Sequence, residues 1–323
     1  MSAEITHDVI AIGESLALLG ATESGRFHRG AALRLSFGGA ESNVAIGVAR
    51  LGGNAAWLGR VGTDTLGDLI LRELRAEGVT SYAIRDPDTA TALMIKERPT
   101  PGRSRISYYR RHQAGSRLTA ADIDRGAIAS ARILHVTGIT PALSASASEA
   151  ITHAIDYAKT IGRVVSFDIN HRDSLWADRD RAQTTYRGLA ARADLIFAGS
   201  DEAALIVGTD DLERQASALL ELGEAAAVII KLGADGAFVA TRDSRVHRAK
   251  AVPVEVVDTV GAGDAFVAGW LAEYARNADV NRCLTTAIAC GAFACTGAGD
   301  WESLPVRADL ELLHGTGNDP VQR

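Results

Sequence analysis

The chain has 323 residues, 47% hydrophobic and 23% charged, which is enough apolar material for a core that needs no disulfide or metal staple. Lys and Arg number 34 against 40 Asp and Glu, a net charge of −6; this disfavours a nonspecific nucleic-acid binder but allows a locally basic pocket. Cys283, Cys290 and Cys295 contain no CxxC pair, so they read as buried free thiols and not as a disulfide framework or zinc site.

The start of the chain lacks a basic region before an apolar stretch, and Gly13, Glu14 and Ser15 interrupt the first apolar run. A cytoplasmic protein with no membrane contact is expected. Residues 9–12 read as the first strand. A helix is expected from near Ser42, where Val44, Val48 and Leu51 share one stripe, to the stop at Gly52 and Gly53. Residues 55–58 form the next strand. Asp64 is placed to cap a helix that carries Leu66, Leu69, Ile70 and Leu74 and ends at Gly78. A third helix covers 146–161, and strands follow at 133–137, 164–169, 195–198 and 228–231. Apolar strands that alternate with helices imply right-handed βαβ units and a mostly parallel sheet.

Two regions break the alternation, at about 15–37 and 89–112. The second holds two extended pieces, 92–96 and 105–109, around a turn at Pro99, Thr100, Pro101 and Gly102. Both regions read as a small β-sheet projecting from the α/β body, either a lid or an ordinary edge extension. No repeat or linker divides the chain, so a single domain over 1–323 is expected.

The densest chemistry lies in Asp258-Thr-Val-Gly261-Ala262-Gly263-Asp264, a small-residue turn that feeds the helix pattern beginning Ala265-Phe-Val. Amide N–H groups at such a helix start point outward and favour negative charge, and glycines let them approach phosphate closely. An acid there makes sense as a general base that takes a proton from an attacking hydroxyl. A plain helix cap is the alternative. The P-loop pattern is absent. His171-Arg172-Asp173 imitates a protein-kinase catalytic loop, but Asp178 stands where Asn is required, so the match is treated as chance.

Residues 258–264 resemble the C-terminal signature of the ribokinase-like, pfkB-type carbohydrate kinases. Gly38-Gly39-Ala-Glu-Ser-Asn43, Arg50-Leu-Gly-Gly53 and Gly59-Arg-Val-Gly-Thr-Asp64 resemble the family's N-terminal signature. Lys231-Leu-Gly233-Ala-Asp-Gly236 resembles its nucleotide-side turn. The resemblance runs from about residue 10 to 304. It implies a Rossmann-like three-layer body with a β lid, and ATP- and Mg²⁺-dependent phosphorylation of a sugar-like hydroxyl. It makes Asp264 the catalytic base and the Gly261–Gly263 turn the anion hole. Gly38 and Gly39 would let a polyhydroxylated substrate lie against the backbone. Asn43 offers a donor and an acceptor to sugar hydroxyls, or else makes a first-turn capping contact. Lys231, Gly233 and Gly236 are expected on the nucleotide side, where the glycines also suit a plain hairpin turn.

Within the family the chain is most similar to the 2-keto-3-deoxygluconate kinases. Tyr108-Tyr109-Arg110 resembles their Tyr-x-Arg, and Asp168-Ile-Asn170-His-Arg172 resembles their Asp-x-Asn-x-Arg. This implies that Tyr108, Arg110 and Arg172 hold an acid sugar, and that Asn170 and Arg172 approach ATP. Arg presents a planar fork that matches a carboxylate, which a neutral sugar lacks. A solvated lid cation is the alternative for Arg110. The family's Asn-x-x-Glu magnesium motif reads Gly199-Ser-Asp-Glu202, so Glu202 alone remains as a metal candidate. A K⁺-type site beside the anion hole is also implied, with ligands that the sequence does not place. A fructokinase and a non-catalytic sugar sensor are the competing readings, and a homo-oligomer is expected from an exposed lid-sheet face.

Overall fold

The computed structural model describes residues 4–100 and 103–314. Pro101 and Gly102 of the expected turn lie outside the described residues, as do both ends of the expected 1–323 span. The strands, in chain order, are β1 (His7–Ile12), β2 (Leu16–Ala21), β3 (Leu33–Gly38), β4 (Ala55–Gly62), β5 (Thr80–Asp86), β6 (Leu93–Thr100), β7 (Arg103–Tyr109), β8 (Ala131–Thr137), β9 (Val164–Asp168), β10 (Leu195–Gly199), β11 (Ala227–Lys231), β12 (Ala237–Thr241) and β13 (Val246–Ala249). The helices are α1 (Ala40–Arg50), α2 (Thr65–Ala76), α3 (Arg125–Ala129), α4 (Ile139–Leu143), α5 (Ala145–Thr160), α6 (Arg179–Ala190), α7 (Ser200–Val207), α8 (Leu212–Glu221), α9 (Ala262–Tyr274) and α10 (Val280–Ala294).

Nine strands build one sheet in the order β13-β12-β11-β10-β9-β8-β1-β4-β5. Pairing is parallel from β11 through to β5, and only the β11–β12 and β12–β13 pairs are antiparallel. Alternation along β1 sends Val9 and Ala11 to one face and Ile10 and Ile12 to the other. The first face packs on α1, α2, α9 and α10, and the second on α3, α5, α6, α7 and α8. This is the expected three-layer arrangement. Asp64 caps α2 by accepting the Gly67 N–H at 2.8 Å, and Ser144 caps α5 by accepting the Ala147 N–H at 3.0 Å. Chain order reverses at β1, between β4 and β8, and such a switch point leaves a crevice at the carboxyl ends of the strands.

The two irregular regions form a separate four-stranded sheet, β3-β2-β6-β7. Its central pair, β2 and β6, is parallel, and both outer pairs are antiparallel. Leu16, Leu18 and Met94 are buried on its inner side with Ile106 packed against them. Leu33, Leu35 and Tyr109 are exposed. The sheet is tied to the segment that follows α10. Trp301 Nε1 donates to the Phe37 carbonyl at 3.1 Å, and Ser36 Oγ donates to Glu302 Oε1 at 2.6 Å. No helix among the described residues is long and apolar enough to cross a membrane. The three cysteines are free, and burial pushes the thiols of Cys283 and Cys290 up to about 12, which leaves them unreactive.

Candidate active site

The crevice at the switch point is a cleft of about 540 Å³. Its floor comes from the segments after β1, β8 and β9, from α1 and from the start of α9. Met94, Ile106, Tyr108 and Arg110 of the small-sheet region close its other side.

Asp264 sits in the first turn of α9 and is 9% exposed. Asn43 Nδ2, from the first turns of α1, donates to its Oδ2 at 2.8 Å. Asn170 Nδ2 approaches Oδ1 at 3.4 Å. Asn170 adopts a φ of +41°, a left-handed conformation that costs energy for a non-glycine residue and here aims its amide at the acid. Burial raises the Asp264 carboxyl above its ordinary range, while the Asn43 bond and the charges of Arg172 and Lys231 pull it down. A carboxylate poised upward, with an accessible face in a cleft, has the character of a general base.

The turn before Asp264 is shaped by Gly261, which has a φ of +78°; a Cβ there would also meet the Asp300 carbonyl oxygen at 2.0 Å. Only glycine fits on both counts. The N–H groups of Gly261, Gly263 and Asp264 make no backbone hydrogen bond among the described residues, and they line a concave helix start. That arrangement can hold an anion beside Asp264. Lys231 Nζ lies at the same junction and donates to both oxygens of Asp168 at 2.8 Å. Burial pushes Asp168 up to about 6 against the pull of Lys231. Burial would lower the Lys231 ammonium, but Asp168, Glu202 and Asp264 outweigh it and hold it above its usual value.

Gly39 lines the cleft, but the room left by its missing Cβ is taken by the Glu14 carbonyl at 2.3 Å. At Gly38 the Asp300 carboxylate fills that room at 2.1 Å. Both glycines therefore admit protein atoms, where a substrate against bare backbone was expected. Tyr108 is 39% exposed and lies under Arg110, with ring centroid and guanidinium 5.2 Å apart. Arg110 is neither solvated nor unpaired. It is 8% exposed, and its Nε donates to Glu14 Oε2 at 2.7 Å, with a second contact from Nη2 to the same oxygen. Glu14 thus takes one edge of the guanidinium and leaves Nη1 with no hydrogen bond among the described residues, on a side chain that lines the cleft. Arg172 lines the mouth, is exposed and makes no ion pair among the described residues. Glu202 lines the wall, but it also caps α7: its Oε2 accepts the Gly199 N–H at 2.6 Å and its Oε1 the His171 N–H at 2.7 Å. Each oxygen keeps one lone pair, which suits contact with a magnesium ion through water better than direct ligation.

Beyond Gly263 a second, apolar hollow of about 580 Å³ shares Lys231, Gly233, Thr259 and Gly263 with the first. Val252, Val254, Phe266 and Ile288 give it flat walls suited to an aromatic base. Gly236 faces this hollow only. Its φ of +97° and the Ala249 carbonyl, 2.0 Å from where a Cβ would sit, also make it a structural turn residue.

Three acids of the cleft were missed in the sequence. Glu14 is 2% exposed, and burial raises its carboxyl against the pull of Arg110. Glu41 Oε1 accepts the hydroxyls of Thr137 and Thr140 at 2.7 and 2.8 Å, and burial pushes the group up to about 7. Asp300 lines the cleft with no hydrogen bond to its carboxylate among the described residues, and burial pushes it up to about 7. Glu14 and Glu41 had a signal, because each is an acid set among apolar or small residues. Asp300 had one as well, because Gly297-Ala298-Gly299-Asp300 repeats the pattern of Gly261-Ala262-Gly263-Asp264.

The sequence profile of the pfkB family carbohydrate kinases matches residues 6–307. The chain is 39% identical to the 2-dehydro-3-deoxygluconokinase of Bacillus subtilis, over 94% of each protein. It is 35% identical to the protein of that name from Thermoproteus tenax, over 96% of this chain and 95% of that one. A fructokinase from Escherichia coli is 34% identical over 85% of this chain and 90% of its own length. Among solved structures, a PfkB protein from a Polaromonas species superposes with a TM-score of 0.86 at 34% identity, covering 95% of this chain and 99% of that one. A ribokinase-type protein from E. coli in complex with ATP and magnesium superposes with a TM-score of 0.87 at 26% identity, with the same coverage.

Proposed function

Because the chain belongs to the pfkB family of carbohydrate kinases, we propose that it transfers the γ-phosphoryl group of ATP to the primary hydroxyl of 2-keto-3-deoxygluconate, the compound also called 2-dehydro-3-deoxygluconate. One observation carries the reading: a buried Asp264, oriented by Asn43 and Asn170, stands where an unpaired helix N-terminus meets a cleft that holds two arginines.

Asp264 accepts the proton of the attacking hydroxyl as the new O–P bond forms. The N–H groups of Gly261, Gly263 and Asp264 face the charge that develops on the transferring phosphoryl group, and Lys231 adds a fixed cation beside them. Asn170, Lys231, Gly233 and Gly236 border the path to the apolar hollow, which receives the base of ATP. Glu202 would hold the water shell of a magnesium ion bound with ATP, and that ion would supply neutralisation of phosphate charge. Arg172 and the Nη1 end of Arg110 meet the substrate carboxylate, and Asp300 accepts a substrate hydroxyl. The small sheet acts as the lid. Its exposed Leu33, Leu35 and Tyr109 pair with a second copy of the chain, a point that sedimentation of wild type against Leu35→Glu decides.

The deciding experiment is kcat/KM for ATP-dependent phosphorylation across sugar acids and neutral sugars. A preference for 2-keto-3-deoxygluconate over fructose supports the reading. The pairing of Arg110 with Glu14 favours fructokinase as the second reading, because it halves the free positive charge at the sugar end; a preference for fructose would establish it. ATP turnover on no sugar at all would leave only a sensor.

A further inference from the structure

The family resemblance implies a potassium-type cation beside the anion turn, and the surroundings of the one carboxylate that opens the turn do not fit one. Asp258, the acid that opens the turn, is already engaged at both oxygens. Its Oδ1 accepts the Val260 N–H at 3.2 Å, and its Oδ2 accepts the Lys96 ammonium at 2.5 Å. The Lys96 side chain is 7% exposed and that of Asp258 is 8% exposed, so water screens the pair little. A metal ion brought to Asp258 would sit against the ammonium in a low-dielectric setting, where like charges repel strongly. The positive charge of Lys96 also acts on Asp300, the residue whose carbonyl packs against Gly261.

We infer that Lys96 is a tethered cation: its ammonium occupies the position of a dissociable monovalent ion, holds Asp258 and, through the Asp258–Val260 contact, fixes the anion turn without added potassium. Lys96 is a positioning residue, 162 positions away from its partner, and acts on the reacting groups only through the turn. It lies on β6, so the same ion pair fastens the small sheet to the turn, and charge and closure are coupled in one contact.

The activity part of the test rests on the kinase reading, and the melting part does not. Exchange of potassium for tetramethylammonium is expected to change wild-type kcat by less than about twofold, because a buried tethered charge is insensitive to bulk ions. Lys96→Met should lose roughly tenfold or more in kcat, with a smaller effect on KM, as a distorted anion turn loses transition-state stabilisation. Potassium or methylammonium should restore most of that loss, and Lys96→Arg should stay active without either. In parallel, potassium should raise the Tm of Lys96→Met and leave that of wild type unchanged, whatever substrate the enzyme takes. A wild type whose kcat and Tm both depend on potassium would overturn the inference, as would a Lys96→Met protein that no cation rescues. If Lys96→Met does not fold, the cation exchange on wild type and on Lys96→Arg decides alone.

Discussion

The two ends of the cleft are built from different materials. The phosphate end is made of backbone: free amide groups at the start of α9, a turn that only Gly261 can make, and one acid. The sugar end is made of side chains matched in pairs over long sequence distances: Arg110 with Glu14, and Glu41 with Thr137 and Thr140. A backbone site is carried by a short contiguous motif and serves a group that every substrate of the reaction shares. A site of paired side chains can be retuned one partner at a time, and this is where selectivity is set.

The largest expected effect is at the backbone end. Asp264→Asn keeps the shape and the Asn43 contact but removes the base, so kcat should fall by ~10²–10⁴-fold with ATP binding retained. The same variant should melt no lower than wild type at neutral pH. The Asp264 carboxyl is raised in the fold, so ionising it there costs stability that asparagine does not. Wild-type kcat should fall as pH drops through that raised value, because the base must be ionised. Near-normal turnover by the purified variant would remove Asp264 from the chemistry. Gly261→Ala should lower kcat by roughly a hundredfold. The strained φ should also cost about 1–3 kcal/mol of stability, and the side chain must displace the Asp300 carbonyl as well. A loss of kcat with unchanged Tm would mean that the turn tolerates a side chain and that Asp300 does not press on Gly261.

This contrast explains what was legible in the sequence. Strands such as 9–12 and 195–198 were readable because burial on both faces makes them apolar throughout, and α2 because Asp64 announces its start. The phosphate end was readable because its free amides, its glycine turn and its acid lie within seven residues. β5 was missed because Thr80–Asp86 is only half-buried and mixes polar with apolar residues. The parallel pairing of β2 with β6 was also out of reach, since nothing local specifies a partner so far along the chain. Arg110 stood out in the sequence as a candidate substrate residue, but its pairing with Glu14 did not. Neither residue 14 nor residue 110 carries a mark of the other, and only the fold brings them together across 96 positions. Gly38 and Gly39 were read as places where a substrate lies against the backbone, but sequence cannot tell whether a ligand or protein atoms, here the Asp300 carboxylate and the Glu14 carbonyl, do the approaching.

The sugar end gives the next largest effect. Arg110→Ala removes a charge-assisted contact and should lower kcat/KM on the sugar acid by about 10–150-fold, with little change in any activity on fructose. Arg110→Lys should recover part of the loss, since it keeps the charge but not the fork. The single alanine variant also strands Glu14 in a buried site, so Tm should drop as well. Arg110→Ala combined with Glu14→Gln should regain the lost Tm and leave the lost selectivity unrepaired. If the double variant regained both, Arg110 would serve only to neutralise Glu14. Equal losses on the acid and on fructose would make Arg110 a shaper of the lid.

The smallest expected effect comes from Glu41, a buried acid at the sugar end that takes no part in the phosphoryl transfer. Its carboxyl is pushed up to about 7 in the fold from an ordinary value near 4.5, by burial first and then by the neighbouring charge of Asp264. Below pH 4.5 the folded and unfolded chains both hold the proton, and the group contributes no difference. Between 4.5 and 7 the unfolded chain releases it while the folded chain keeps it, so stability falls as pH rises, and the cost levels off above 7. Glutamine keeps an acceptor for Thr137 and Thr140 but has nothing to ionise. Glu41→Gln should therefore match wild type near pH 4.5 and gain on it steadily to about pH 7, by an amount of order 3 kcal/mol or several degrees in Tm. The gain should then hold constant at higher pH, and melting curves across that range read it directly. A difference that does not vary with pH would mean that Glu41 is ionised in the fold throughout, so that the Thr137 and Thr140 hydroxyls outweigh its burial.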